Sequence, residues 1–356
     1  MRQFLKLLVL SGINYKFEDN VFKNAQKLMS VSADQTDKQI SRLLADQSSN
    51  NLALVLELIL GISAPTTALR SYVFGIAVFS SEPVLRSRAS KILASIASDK
   101  TNAEAVRVRE TIQYHFDESA FFSRMDNLEL GVFDVLLAYK MCLWHRAPHR
   151  DSGFATIAHQ SLNLSGFEVP KLDRGIAAFH WVRHIWLPAH VGFDVEGSTD
   201  LLKHLPLEGV YLESNRMDHF PVTLLSMPRL RILSIRRGRH RPRQTLRVPD
   251  GGVWGSPVLE HLVVEGYPIE GEDRLGPFPC LREVDIHRCK LRGIPFLSQS
   301  GVLERLSLRN NSLTALPDFI GTLSCLREVD MTENPWETIA LDLSGLKELK
   351  KIAISR

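Results

Sequence analysis

The chain has 356 residues, 44% hydrophobic and 23% charged, with a net charge of only +3. These values are those of a folded protein longer than one typical hydrophobic core, so two regions are expected and disorder over most of the chain is excluded. So small a net charge gives no overall basic field for nucleic acid, and only its local distribution could supply one.

In chain order, the N-terminal MRQFLKLLVLSG invites a secretion-signal reading. Lys6 interrupts the apolar run, however, and no small-x-small cleavage site precedes the polar INYKFEDN. Leu5, Leu8 and Val9 fall instead at helical spacing. The longest apolar run, LALVLELILGI, contains Glu57 and falls short of the ~20 residues that cross a bilayer, so no membrane span is expected. The four cysteines, Cys142, Cys280, Cys289 and Cys325, are too few and too irregular for a disulfide framework and read as reduced thiols of a cytoplasmic protein.

Asn20-VFKNAQKLMSVS, Asn51-LALVLELILGIS and PVLRSRASKILASIA from Pro83 align at offsets of 31 and 34 residues, bringing Leu28, Ile59 and Leu93 to nearly equivalent places. Helix starts are expected at Asn50–Asn51 and Glu82–Pro83, with further helices over 102–114 and 126–144. This periodicity resembles the HEAT-type α-solenoids, with an irregular helical bundle as the alternative, and gives an all-α region over 1–150. RAPHRDSG, at 146–153, reads as a linker.

From Leu303 the pattern changes to LERLSLRNNSLTALPDFIGTLSC. Leu303, Leu306, Leu308, Asn311, Leu313, Leu316, Pro317, Ile320 and Leu323 keep one register, and Leu326 restarts it. This unit resembles the leucine-rich-repeat family, with its LxxLxLxxNxLxxLP frame. Leu207, Val210, Leu212, Asn215, Met217, Phe220 and Pro221 match the same frame. So do Leu281, Val284, Ile286, Cys289, Leu291, Ile294 and Pro295, with Cys289 in the asparagine slot. Tyr267 and His190 occupy that slot in the units of Leu259 and Val182, and a degenerate unit begins near His159. The resemblance covers 157–356 and implies parallel strands at 207–212, 230–235, 259–264, 281–286, 303–308 and 326–331, stacked into a curved sheet. The expected fold class is therefore α/β: a leucine-rich-repeat solenoid preceded by an all-α helical-repeat domain.

Catalytic chemistry is hard to find. No glycine-rich phosphate loop, nucleophile elbow or metalloprotease helix motif occurs, and GGVWG at Gly251 reads as a turn. Cys142, His145 and His149 lack a fourth ligand for structural zinc, and Asp285 and Asp330 lie too far apart for a shared proton. No enzyme activity, metal or cofactor is expected.

Side chains between the strand leucines should point outward in columns. The middle column reads Asn163, Trp186, Tyr211, Ser234, Val263, Asp285, Ser307, Asp330. Trp186 and Tyr211 have the character of a binding hot spot, unless N-terminal helices pack over Trp186. The unit from Leu230 is 29 residues long, and eight arginines without one acid lie from Arg229 to Arg247. With Arg236, Arg237, His287, Arg288 and Arg309 this stretch makes a local basic patch suited to carboxylates or phosphates, or else a solvated loop. The function expected is protein–protein interaction (adaptor, inhibitor, immunity protein or sensor) through the concave sheet, with an acidic protein surface as partner. The alternative is nucleic-acid or phosphate binding through 229–247, which lacks the interleaved aromatics such binding uses. Oligomeric state is left open. Helices ending near Trp144 should cap the first rung, with Phe154, Phe179 and Trp181 at the junction.

Overall fold

The computed structural model describes residues 40, 49–60, 62, 64–112, 117–144, 157–158, 160–190, 192–238, 244–337 and 344–355. The N-terminal run, Leu28, His145, His149, the linker, Phe154 and the centre of the arginine-rich insertion lie outside the described residues.

Helix α1 (Ser49–Leu60) buries Leu52, Val55, Leu56 and Ile59, the stripe that a 3.6-residue period puts on one face. The next helix, α2 (Thr67–Phe79), is buried throughout 71–79, and it is apolar nearly all round as a central helix must be. Thr66 caps it by accepting the Leu69 N–H at 3.3 Å. Around α2 lie α3 (Pro83–Ile96), α4 (Asp99–Thr111), the short α5 (Glu118–Phe122) and α6 (Val132–Trp144). A side chain on Gly75 would meet the Ala138 methyl at 2.5 Å, so glycine there lets α2 and α6 touch backbone to backbone.

Two boundaries differ from expectation. The fourth helix starts at Asp99 rather than 102 because the Ser98 hydroxyl accepts the Thr101 N–H at 3.3 Å. A single helix over 126–144 is replaced by a 3-10 turn at Met125–Leu128 and then α6, since Glu129 adopts a left-handed φ of 55° that no continuous helix accommodates.

The second region is a stack of parallel rungs. Its strands are β1 (Ile157–Ala158), β2 (Ser161–Asn163), β3 (His184–Trp186), β4 (Gly209–Glu213), β5 (Ile232–Arg236), β6 (Leu246–Arg247), β7 (His261–Glu265), β8 (Ile269–Glu270), β9 (Glu283–His287), β10 (Arg305–Ser307), β11 (Glu328–Asp330) and β12 (Lys351–Ala353). Ten of them form one sheet in the order β1-β2-β3-β4-β5-β7-β9-β10-β11-β12, parallel except for β1 against β2. All six expected strand segments are strands of this sheet, with hydrogen-bonded pairing beginning two residues after each leading leucine. In β7 and β9 buried and part-exposed side chains alternate strictly, whereas Ser234 of β5 is also buried and Ile352 of β12, in the last rung, is exposed. Short helices, α7 (Val195–Leu202) and α8 (Val222–Leu225), and 3-10 turns return the chain to the next rung.

The asparagine slot holds the rungs together. Asn311 donates to the carbonyls of Ile286 at 2.7 Å and Leu308 at 3.0 Å and accepts from Cys289 and Leu291 N–H groups at 3.1 and 3.2 Å. Asn334 repeats the pattern one rung on, donating to Leu308 and Met331 carbonyls at 2.9 and 3.1 Å. A buried amide is thereby satisfied on both its polar atoms. Cys289 in the same slot sits 3.4 Å from the Val264 carbonyl, and burial pushes its thiol up to about 12, so it packs rather than reacts. His190 substitutes through Nε2, 2.8 Å from the Val169 carbonyl.

The helices meet the first repeats through aromatic contacts. Phe122 stacks on Phe167 at 5.3 Å, and Phe133 meets Phe179 edge-on at 6.3 Å. Phe179 in turn lies 5.3 Å from Trp181, and the Ser123 hydroxyl accepts the Glu168 N–H at 2.9 Å. Asp134 of α6 reaches the backbone at Gly175, where any side chain would stand 3.0 Å from its carboxylate. The contact runs through Phe179 and Trp181, two of the residues expected there.

Candidate functional site

Three outward columns cross the open face of the ten-stranded sheet, fixed by strand register. The middle one runs Asn163, Trp186, Tyr211, Ser234, Val263, Asp285, Ser307, Asp330, Ala353. Trp186 and Tyr211 are half-buried and stack face to face, with centroids 4.2 Å apart and planes 5° from parallel. Strand spacing of about 4.8 Å imposes this distance on neighbouring rungs, so the register itself holds the pair in place. Burial raises the pKa of the Tyr211 hydroxyl and keeps it neutral.

The column one step earlier, His184, Gly209, Ile232, His261, Glu283, Arg305, Glu328, Lys351, went unread in the sequence. Its signal was there, two residues before each member of the middle column. A side chain at Gly209 would stand 2.4 Å from His184 Nδ1 and 3.1 Å from the Tyr211 ring, so this glycine makes room for both rings. His184 lies 6.3 Å from Tyr211, ring to ring. Trp186, Tyr211, Ile232 and Val263, each half-buried, thus form an apolar patch across β3 to β7. Isolated apolar surface residues need no explanation, but a contiguous group on an open sheet does.

Beyond this patch the face becomes charged. His287 lies 2.9 Å from Asp285 Oδ1 through Nδ1 and 3.2 Å from Glu265 Oε1 through Nε2. The Asp285 bond raises the His287 pKa against the pull of burial, and Glu265 adds to the rise. For Asp285, burial is outweighed by His287, the Ser307 hydroxyl and Arg236, so its carboxyl stays below the usual range. On the same face burial lowers the His261 pKa, with Arg305 and Arg282 acting against the attraction of Glu260. Two histidines on one face are therefore biased to opposite charge states.

The expected arginine patch is only partly brought together. Arg236 is exposed and sits in register between Glu213 and Glu265. Arg237 and Arg288 line a depression with Glu265 and Gly266, and Arg288 Nη1 is 3.9 Å from Glu265. Arg309 is bound to Glu333 through Nε at 2.8 Å. Within the long unit, Arg231 pairs with Glu260 at 3.5 Å and Arg247 with Glu270 at 3.4 Å. The acids of the next repeat thus neutralise several of these bases, because each rung sets a column one residue type against the next. A related ladder, Arg183–Glu208, Arg282–Glu304 and Arg327–Glu304, runs along the strand starts.

The inserted unit is closed by its own devices. Leu246–Arg247 pairs with Ile269–Glu270 in a second, two-stranded parallel sheet, and Arg247 bridges to His219. Tyr267, in the asparagine slot, reaches across the insertion and donates to the Asn215 carbonyl at 2.5 Å. Among the described residues no group of three or more His, Cys, Asp or Glu side chains is placed to hold a metal, and no helix is long and apolar enough to cross a membrane.

No protein-family profile and no curated protein matches the chain. Among solved structures, the leucine-rich repeat domain of the type III effector XopL is similar at 19% identity and a TM-score of 0.45, over 70% of this chain and 84% of that one. Internalin C2 of Listeria monocytogenes is similar at 17% identity and a TM-score of 0.41, over 55% of this chain and 79% of that one. A leucine-rich-repeat protein of Leptospira interrogans is similar at 18% identity and a TM-score of 0.30, over 55% of this chain and 66% of that one. At these values the leucine-rich-repeat fold is read from the chain's own rungs and asparagine ladder.

Proposed function

We propose that the chain is a non-enzymatic protein-binding module, an adaptor, inhibitor, immunity protein or sensor, that takes its partner on the concave face of the repeat sheet. The observation behind this reading is the Trp186–Tyr211 stack, half-exposed and rigid, beside Ile232 and Val263. Rigid aromatics with an apolar surround and a charged rim are the usual make-up of a binding hot spot. Acidic groups of the partner would meet Arg236, Arg237, Arg288 and His287 at the neighbouring rungs. Nucleic-acid binding through 229–247 has less support, since Arg231 and Arg247 each have an acid partner. The same proposal divides the chain into a HEAT-like helical region over 1–150 and a repeat region over 157–356, acting together in the cytoplasm.

The test is affinity capture with mass spectrometry, comparing the intact chain with the double variant Trp186→Ala, Tyr211→Ala. The expected result is a protein retained by the intact chain and lost from the variant while its melting curve keeps its shape. A partner held equally by both would move the interface off this face.

A further inference from the structure

Five rungs place a left-handed residue just before the asparagine slot: Ser214, Gly266, Arg288, Asn310 and Glu333, with φ of 58°, 78°, 59°, 56° and 60°. Four of these positions carry a side chain and one does not. At Gly266 the missing side chain leaves a depression walled by Arg237, Arg288 and Glu265. A Cβ there would lie 3.1 Å from Arg237 Nε and 3.3 Å from its Cβ, so the space belongs to the Arg237 side chain and whatever it meets. Two guanidinium groups thus face one gap from the rungs on either side of Gly266, a geometry suited to planar or tetrahedral oxyanions.

Charge balance points the same way. Around the gap stand Arg236, Arg237, Arg288 and the His287 imidazole, against Glu265 and Asp285. Glu265 is the one wall residue of the wrong sign, and it is shared: Oε1 lies 3.2 Å from His287 Nε2 and 3.9 Å from Arg288 Nη1.

We propose that the Arg237–Arg288 depression over Gly266 is a binding site for an oxyanion, and that His287 regulates it by competing with Arg288 for the Glu265 carboxylate, which lies nearer to the imidazole than to the guanidinium. The proposal deepens the reading of this face as a partner-binding surface and rests on it for the ligand's source, a carboxylate of the partner. Its working follows from donor inventory. Protonated, the imidazole donates from both nitrogens, Nδ1 to Asp285 and Nε2 to Glu265. After deprotonation only one nitrogen keeps a proton. The shorter bond, to Asp285, retains it, and the Nε2 lone pair then repels Glu265. That carboxylate then closes the 3.9 Å gap to Arg288 and competes more strongly with any outside anion, so affinity falls as pH rises. The groups facing His287 are Glu265 from β7, Asp285 on its own strand, Arg288 beside it, and Ser307 and Arg309 from the following rung; Arg236 acts on Asp285 from the far side. The raised pKa of His287 places the change at or above its ordinary value near pH 6.5.

The experiment is isothermal titration of the full chain at low ionic strength, from pH 6 to pH 9. N-acetyl-hexaglutamate amide and sulfate serve as probes, since both stay ionised over that range. At pH 6 at least one probe should bind, about tenfold more weakly in Arg237→Gln and in Arg288→Gln, as loss of one charge-assisted contact implies. Affinity should fall toward pH 9 in the native chain and stay level in His287→Gln and Glu265→Gln. Tighter binding of hexaglutamate supports a protein carboxylate as the ligand. Tighter binding of sulfate keeps the site and overturns the carboxylate as its source, in favour of a phosphate. Absence of binding by both probes, indifference to both arginine substitutions, or a pH dependence that survives in His287→Gln overturns the site. Arg288 is exposed, so its variant tests the site even if Arg237→Gln misfolds. If these tests fail while Trp186→Ala, Tyr211→Ala still loses the captured protein, the oxyanion site alone is wrong. If the double variant keeps its partner while the arginine variants lose the probes, the partner-binding reading is wrong and the site stands.

Discussion

The rungs from Leu281 to Trp336 and those from Val182 to Tyr267 use one frame and fill it differently. In the later rungs Cys289, Asn311 and Asn334 hold successive slots, each bonded to the neighbouring rung, and the return segments are single 3-10 turns. Among the earlier rungs Asn215 keeps the slot and donates to the Pro188 carbonyl at 2.6 Å, but His190 and Tyr267 stand there in other units, the unit from Leu230 is lengthened, and a second small sheet closes it. The stacked aromatics, the glycine that makes room for them and the arginine-lined depression all lie within or beside the irregular rungs. The asparagine ladder is thus densest in the later rungs, and the stacked aromatics and the arginine-lined depression lie where the frame is interrupted or next to such a place.

Substitution can break or sharpen this contrast. The largest effect is expected in the regular rungs: Leu306→Ala empties a buried site between Val284 and Val329 and should cost ~2–5 kcal/mol. An unchanged melting curve would remove Leu306 from the core. A smaller loss is expected from Tyr267→Phe, which deletes only the hydroxyl that bonds the Asn215 carbonyl. Removing the donor to a buried acceptor costs about 1–3 kcal/mol, and chemical denaturation should show it as a lower midpoint at constant slope. Equal stability of Tyr267→Phe and the native chain would mean that the insertion is closed by the β6–β8 sheet alone.

Much of the solenoid was legible because leucine periodicity is read directly as burial. Leu303, Leu306 and Leu308 are all buried, and the middle column aligned rung by rung as its spacing implied. What spacing could not show was pairing across rungs. Arg309 looked like a free base in sequence and is bound to Glu333, 24 residues on, because the two meet only when rungs stack. The His287 bridge was hidden for the same reason, with Glu265 contributed by the preceding strand. In the helical region, the Glu129 break was missed because a left-handed non-glycine residue leaves no mark in composition. The Tyr267 bond spans 52 residues and two rungs, beyond any local pattern.

The central claim is that a partner covers the apolar patch on β3 to β7. Hydroxyl-radical footprinting of the full chain, free and bound to its captured partner, tests it most directly, since aromatic side chains report their own exposure. Trp186 and Tyr211 should lose reactivity in the complex, while Trp254, which lies outside the ten-stranded sheet and is tied to the Pro249 carbonyl at 3.1 Å, should keep it. Unchanged oxidation of Trp186 and Tyr211 in a saturated complex would contradict the account.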